Sequence, residues 1–241
     1  MTAPAPSLAA RLGLARLEYH VQVTSTMDVA HALAAEGAPA GTLVLAASQA
    51  AGRGRGGKTW ISEPDAGLWC TLIERPVDGG AVEVLSLRVG LELATALTSC
   101  VDGRIMLKWP NDLLVEGRKL AGVLIEARWR GARPDWVAIG VGINRRVPGD
   151  VPATIAVRQD VSRDALLEAV APALRRAASG LGPLSAAELA AWDARDAAVG
   201  RRVMAPAVGT VTGVSATGGI CIRCDNGSDQ LWQSGSLIFA D

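Results

Sequence analysis

The sequence predicts an α+β chain that ends in a small β-barrel. Three observations lead there. Short runs with strand-like alternation are interleaved with stretches of helical periodicity between residues 17 and 145. Two further amphipathic stretches follow at 162–195. From Gly200 the pattern changes to short strands separated by Gly209, Gly213, Gly218, Gly219, Gly227 and Gly235.

Leu17–Val23 (Leu-Glu-Tyr-His-Val-Gln-Val) alternates and predicts a strand. Ser25-Thr-Met-Asp28 places a hydroxyl cap three residues before an acid, which starts a helix. Met27, Ala30, Leu33 and Ala34 supply its apolar face, and Gly37 ends it. Thr42–Ala47 is a short apolar strand, Ser48–Ala66 a loop rich in Gly and Arg, and Gly67–Glu74 another strand. Glu83–Cys100 has helical periodicity, with Val84, Leu87, Leu91 and Ala94 on one face. Ile105–Trp109, Asp112–Glu116 and Leu120–Ala127 read as strands, with a hairpin at Gly117-Arg118. Trp136–Ile143 is a further apolar strand. Ser162–Ser179 and Ser185–Arg195 read as helices, and Pro172 predicts a kink or break in the first. The expected division is a main domain over residues 1–197 and a barrel over 198–241, small enough to depend on docking to its neighbour.

The 241 residues suit one domain of about 150–200 residues plus a small one. Hydrophobic residues make up 49% and charged residues 20%, which excludes a disordered, collagenous or disulfide-scaffold protein. The 24 Lys and Arg balance the 24 Asp and Glu. A neutral chain lacks the excess positive charge of a dedicated nucleic-acid or membrane-surface binder, so neither partner is expected. No apolar run reaches the roughly 18–20 residues that cross a bilayer. The start, Met1 to Ser7, has no basic or long apolar segment of a secretory signal. Of Cys70, Cys100, Cys221 and Cys224, only the last two form a C-x-x-C, and their context reads as a strand between turns. Reduced thiols on a strand are the expected state, since a redox pair usually opens a helix and a metal pair wants further ligands. The expected compartment is the cytoplasm.

The densest chemical signal is Gln49-Ala-Ala-Gly52-Arg53-Gly54-Arg55-Gly56-Gly57-Lys58-Thr59-Trp60. It matches G-x-G-x-x-G and G-x-x-x-x-G-K-[ST] literally. Both motifs need a helix immediately afterwards to hold the phosphates. Here Trp60 to Gly67 carries a proline and turn residues and leads into a strand, so a P-loop ATPase and a dinucleotide fold are both disfavoured. The chemistry of the loop still stands. Its glycines let backbone approach an anion, and Arg53, Arg55 and Lys58 offer cations whose forks suit carboxylate and phosphate.

Lys108-Trp-Pro-Asn-Asp112, Lys119-Leu-Ala-Gly122 and Ala138-Ile-Gly-Val-Gly-Ile-Asn144 follow. An Asp and Asn at a bend suit Mg²⁺ or a ribose, and glycines inside strands mark close approach by a ligand or another chain. Each also has a plain reading, as a turn, a surface lysine or packing glycines.

With these motifs in order, the sequence resembles the biotin–protein ligases. Gln49-x-x-Gly-Arg-Gly-Arg, Lys108-Trp-Pro-Asn-Asp, Arg118-Lys-Leu-Ala-Gly and Gly140-x-Gly-Ile-Asn carry the resemblance over residues 17–145, with Ser25-Thr26 upstream. A C-terminal barrel with Ser234-Gly235 extends it. The resemblance implies a mixed β-sheet flanked by helices, similar to the class II tRNA synthetase catalytic domain, plus an SH3-like barrel. It implies that biotin and ATP form biotinyl-5′-adenylate, and that biotin passes to a lysine of a biotin carboxyl carrier protein. By position, Ser25, Thr26 and Gln49 would bind the ureido group. Gly52, Arg53, Gly54 and Arg55 would close over biotin and the phosphates. Trp60 would wall off the site. Lys119 would face the biotin carboxylate and the adenylate, and Gly122 and Gly140 would leave room for the ligand. Asp112 would bind Mg²⁺ or deprotonate the incoming amine, and Asn144 would sit near adenine. The implied catalytic set is Arg55, Lys119 and Asp112.

There are departures from the family pattern. Gly56-Gly57-Lys58-Thr59 stands where members are often richer in arginine, and residues 145–160 hold no tryptophan to stack on adenine. The roughly 16 residues before the first strand are too few for a helix-turn-helix, so no DNA binding is expected. A lipoate ligase or octanoyltransferase on the same scaffold is the alternative, and a non-catalytic biotin sensor is a third reading. A monomer or weak homodimer is expected.

Overall fold

The computed structural model describes residues 7–240 apart from 77, 148, 150 and 152. Residues 1–6, read above for a signal, lie outside the described residues. The chain opens with a short helix α1 (Leu8–Arg11), followed by β1 (Arg16–Val23), α2 (Thr26–Ala35), β2 (Thr42–Gln49) and β3 (Gly67–Glu74). Helices α3 (Gly79–Glu83) and α4 (Leu85–Ala96) come next, followed by β4 (Ile105–Lys108), β5 (Asp112–Val115), β6 (Arg118–Arg130) and β7 (Arg133–Asn144). Helices α5 (Arg163–Ala178) and α6 (Ala186–Asp193) precede five short strands. These are β8 (Arg202–Ala205), β9 (Gly209–Val214), β10 (Ile220–Cys224), β11 (Asp229–Trp232) and β12 (Ile238–Phe239).

The first seven strands form one sheet in the order β1-β2-β3-β7-β6-β5-β4. The β1–β2 pair is parallel and the other pairs are antiparallel, so the sheet is mixed as expected. Helix α2 covers one face. Its Met27, Ala30 and Ala34 pack with Val44, Ile73 and Ala138. Helices α4 and α5 cover the other, where Leu87, Leu93, Leu167 and Leu174 meet Leu43, Leu68, Leu72, Ile139 and Ile143. Burial on both faces explains why β2 and β3 read as continuous apolar runs rather than as alternating ones.

Three expectations need correction. The single helix over 83–100 is interrupted at Val84, whose backbone leaves the helical region (φ −101°, ψ 0°) while its side chain is fully buried. The helix containing Pro172 is not broken but runs unbroken from Arg163 to Ala178. Leu166, Leu167, Val170, Ala171, Ala173 and Leu174 are all buried along it, and that packing outweighs one missing backbone hydrogen bond. Strands β6 and β7 reach to Arg130 and Arg133 as a long hairpin, beyond the 120–127 and 136–143 predicted. Apart from Trp129 the added residues are polar or proline, and cross-strand pairing makes them strand.

The C-terminal strands pair in the order β11-β10-β9-β8-β12, all antiparallel. Strands β11 and β12 stand at the two ends of this order. Strand β12 is two residues long and β11 is exposed throughout. The sheet docks on the larger one. Val203, Val211, Ile220, Ile222 and Leu237 join the same buried cluster as α4 and α5, and the Trp109 indole donates to the Gly218 carbonyl at 2.9 Å. All four cysteines are free, and no helix of the described residues is long and apolar enough to cross a membrane.

Candidate active site

Strand register assembles the site. On the face that carries α2, one row of cross-strand partners runs Ala46, Trp69, Gly142, Gly122, Asp112 and Lys108, across β2, β3, β7, β6, β5 and β4. The adjacent row on that face runs Val44, Thr71, Gly140 and Leu124. Side chains two apart on a strand share a face, so Gly140, Gly142 and Gly122 leave a bare trough between Thr71 and Asp112. Three strand spacings of about 4.8 Å make that trough roughly 14 Å long. The three glycines come from two sequence motifs that only the β6–β7 pairing brings together.

The Trp60 indole fills part of the trough. A methyl group built on Gly142 would lie 2.5 Å from the ring, and one on Gly122 2.8 Å. Trp60 meets Trp69 edge-on, with ring centroids 6.3 Å apart. Its buried Nε1–H has no hydrogen-bond partner among the described residues. The floor is equally tight: a Cβ on Gly140 would lie 2.7 Å from Met27 Cε.

At the β3 end, the start of α2 builds a polar hub. The Ser25 hydroxyl caps the helix by accepting from Met27 N at 3.2 Å. Gln49 Oε1 accepts from the Thr26 backbone N–H (2.8 Å) and hydroxyl (3.1 Å). The Thr71 hydroxyl donates to Thr26 Oγ1 at 2.8 Å. Gln49 Nε2 donates to Ser62 Oγ at 2.7 Å, and Ser62 donates on to the Trp60 carbonyl at 3.3 Å. One chain of directed hydrogen bonds therefore links β3, α2, β2 and the far end of the Gly–Arg loop.

That loop folds on itself. Arg53 and Thr59 pair as an antiparallel bridge, Gly54 N donates to Lys58 O, and Trp60 N donates to Gly52 O. Gly56 and Gly57 at the tip have φ of +63° and +75°, a conformation that glycine adopts without strain. Extended chain and then β3 follow, not a helix, so no phosphate-binding helix start exists here. Gly52 is needed for packing, since a Cβ there would lie 2.3 Å from the Trp60 carbonyl. Arg55 Nη1 donates to the Gly235 carbonyl at 3.2 Å, which ties the loop to the C-terminal sheet. Burial lowers the Arg55 pKa, and nearby Asp112 works against that. The Arg53 guanidinium bridges the carboxylates of Asp28 and Glu126. Burial alone would lower its pKa, but these two acids outweigh burial and raise it.

At the other end, Lys119 Nζ lies 2.6 Å from Asp112 Oδ1 and 4.9 Å from the Trp60 ring centroid. At that distance Oδ1 is the oxygen that faces the ammonium, so the two charges neutralise one another at this end of the trough. The backbone of Lys119 is held by Ala153 and Ile155 (2.7 and 2.9 Å). Lys108 sits beside Asp112 in the row. Burial lowers its pKa, Asp112 opposes this, and Lys119, Arg201 and Lys58 add to the lowering.

Of the residues singled out by sequence, Ser25, Thr26, Gln49, Arg53, Gly54, Arg55, Trp60, Asp112, Lys119, Gly122 and Gly140 line one cavity. Gly52 and Asn144 do not. Asn144 is 3% exposed, and its amide nitrogen donates to the Lys119 and Ile155 carbonyls at 3.2 Å each, so it braces the end of β7. Asn111 and Gly142, which the sequence offered within motifs but without a carried-over role, also line it, and sequence reasoning missed Thr71 and Ser236. Thr71 had a signal, as a hydroxyl in the middle of a wholly buried strand. Among the described residues, no cluster of three or more His, Cys, Asp or Glu could hold a metal ion.

Residues 19–144 match the model of the biotin/lipoate A/B protein ligase family. The bifunctional ligase/repressor BirA of Bacillus subtilis is 38% identical over 138 residues, covering 56% of this chain and 42% of that protein. The chain thus spans less than half the length of that relative. The biotin–[acetyl-CoA-carboxylase] ligase of Paracoccus denitrificans is 33% identical over 201 residues, covering 75% of this chain and 83% of that protein. The biotin protein ligase of Aquifex aeolicus, solved with biotin and ATP, superposes with a TM-score of 0.73 over 94% of this chain and 99% of that one. At 24% identity, that match speaks for the fold.

Proposed function

From its membership of the biotin/lipoate A/B protein ligase family, to which this chain belongs, we propose that it is a biotin–protein ligase. It would join biotin to ATP as biotinyl-5′-adenylate and pass the biotin to a lysine of a carrier such as the biotin carboxyl carrier protein. The observation that carries this reading is the two-ended trough. A polar hub of Thr71, Thr26 and Gln49 stands at one end and the Lys119–Asp112 pair at the other, with glycines between. A cyclic urea needs donors and acceptors together, and its acid tail needs a cation at the far end. A lipoyl ring has no use for the hub.

In the first step a biotin carboxylate oxygen attacks the α-phosphorus of ATP and pyrophosphate leaves. Lys119 holds the carboxylate and balances the charge on the phosphorus centre, while Arg55 and Lys58 offer donors to phosphate. In the second step the carrier amine attacks the acyl carbon and AMP leaves. Trp60 and the folded loop keep water from the mixed anhydride. Asp112 carries a second carboxylate oxygen, Oδ2, outside the 2.6 Å Lys119 contact, which fits a Mg²⁺ held mainly by phosphate and water, as that ion prefers. Bound there, the ion would neutralise phosphate charge. The same oxygen fits acceptance of a proton from the amine. The division at residues 197/198, the SH3-like form of the C-terminal sheet and a cytoplasmic location belong to this reading.

Pyrophosphate release tests it. The expected result is release that requires biotin and is abolished by Lys119→Ala. Release driven by lipoate and not by biotin would move the chain to the other activity of the family.

A further inference from the structure

We propose that Arg53 is a positioning residue, not an anion contact: bridging Asp28 and Glu126, it latches the Gly–Arg loop over the trough. The charges support this. Arg53 is shared between two carboxylates, one on the first turn of α2 and one on β6, so the group carries a net charge of −1. It has no surplus cation for a phosphate. Arg55 and Lys58, which form no ion pair among the described residues, do.

The latch is backed from behind. The second Glu126 oxygen meets His31 Nε2 at 3.0 Å. Trp136 Nε1–H donates to His31 Nδ1 at 2.9 Å. An indole N–H can only donate, so Nδ1 accepts and Nε2 carries the proton given to Glu126. The loop is thereby tied to α2, β6 and β7 through one connected set. Two residues on, Arg55 reaches the Gly235 carbonyl, so the segment leading into the tip is tied at two points.

The latch is half exposed, and pairs of that kind are individually weak, which suits a segment that must open for substrate. The proposal deepens the ligase reading and rests on it only for the adenylate measurement below. Trypsin supplies an independent one, because Arg53, Arg55 and Lys58 are cleavage sites within the loop. Asp28→Asn with Glu126→Gln should speed cleavage at those sites about three- to tenfold, with cleavage elsewhere and the melting temperature unchanged. Arg53→Lys should loosen the loop similarly, since one ammonium cannot serve two carboxylates as a guanidinium fork does. Bound biotinyl-adenylate should leave the double variant faster by a comparable factor. Loop cleavage in the double variant at the wild-type rate, or acceleration spread over all sites, would overturn the proposal. So would tighter ATP binding in Glu126→Gln, the result expected if the acids merely competed with phosphate for Arg53. A wild-type protein that forms no adenylate would defeat the ligase reading, while proteolysis would still decide the latch.

Discussion

Lys119 Nζ lies 2.6 Å from Asp112 Oδ1, and the two residues reach one another because a bulge in the β5–β6 pairing falls beside them. On the proposed reading Lys119 stabilises charge in the first half-reaction and Asp112 accepts the amine proton in the second. Lys119→Ala should lower the rate of adenylate formation about 10²–10³-fold, the range for losing one charge-stabilising donor. Asp112→Asn should slow carrier modification even when preformed biotinyl-adenylate is supplied. Single-turnover assays of each step check both. An unchanged second step in Asp112→Asn would confine Asp112 to the first.

The trough depends on missing side chains. Gly142→Ala would put a methyl group 2.5 Å from the Trp60 ring, and Gly122→Ala one at 2.8 Å. Each should displace the indole and destabilise the protein by about 1–3 kcal/mol. Biotin KM should rise in both. Thermal melts and a biotin titration would read the two effects separately.

Gln49 holds the hub together. Gln49→Leu leaves the Thr26 N–H and hydroxyl without their acceptor and removes a donor from Ser62. The expected cost is about 1–3 kcal/mol, with weaker biotin binding. Thr71→Val removes only the donor to Thr26 and should weaken biotin binding with a smaller loss of stability. Equilibrium unfolding beside calorimetric biotin binding checks the order.

The Cys70 side chain points from β3 into the core on the face opposite the trough and is no nucleophile at neutral pH. Burial pushes its thiol pKa up to about 12, with only Arg163 acting the other way. The folded state therefore holds this proton more tightly than the unfolded chain, whose thiol titrates near its ordinary pKa of 9.0. The corresponding stability is fully present below pH 9 and is lost as pH rises toward 12. In native protein at pH 8, iodoacetamide should leave Cys70 unmodified while labelling the less buried Cys221 and Cys224. Peptide mass mapping reads the result.

Arg88, on α4, is 4% exposed and donates to Glu188 and to the carbonyls of Leu181, Gly182 and Pro183. It joins α4 to the start of α6, far from the trough. Arg88→Ala should cost about 2–3 kcal/mol, less than a fully buried pair because Glu188 keeps contact with water. Biotin KM should stay the same. Urea unfolding measures the loss.

Much of this was legible in the chain. Ser25 reads as a cap from its spacing to Asp28, and Gly67–Glu74 from a continuous apolar run between turn residues. Such signals are local, and they came through. What was hidden depends on pairing between distant segments. Gly122 and Gly142 become one trough only through the β6–β7 register. Arg53 meets Asp28 and Glu126 across 25 and 73 residues, so its spacing in the loop pointed to phosphate instead. Asn144 closes a motif, yet its amide is used by the Lys119 and Ile155 carbonyls. The split at Val84 and the unbroken helix through Pro172 were set by core packing, which periodicity does not report.

The measurement closest to the central claim is the intact mass of a biotin-carrier domain incubated with the protein, ATP, Mg²⁺ and either biotin or lipoate. The account predicts a gain of one biotin per carrier, absent with lipoate and lost in Lys119→Ala. A carrier unchanged by biotin, or a lipoyl domain modified in its place, would contradict it.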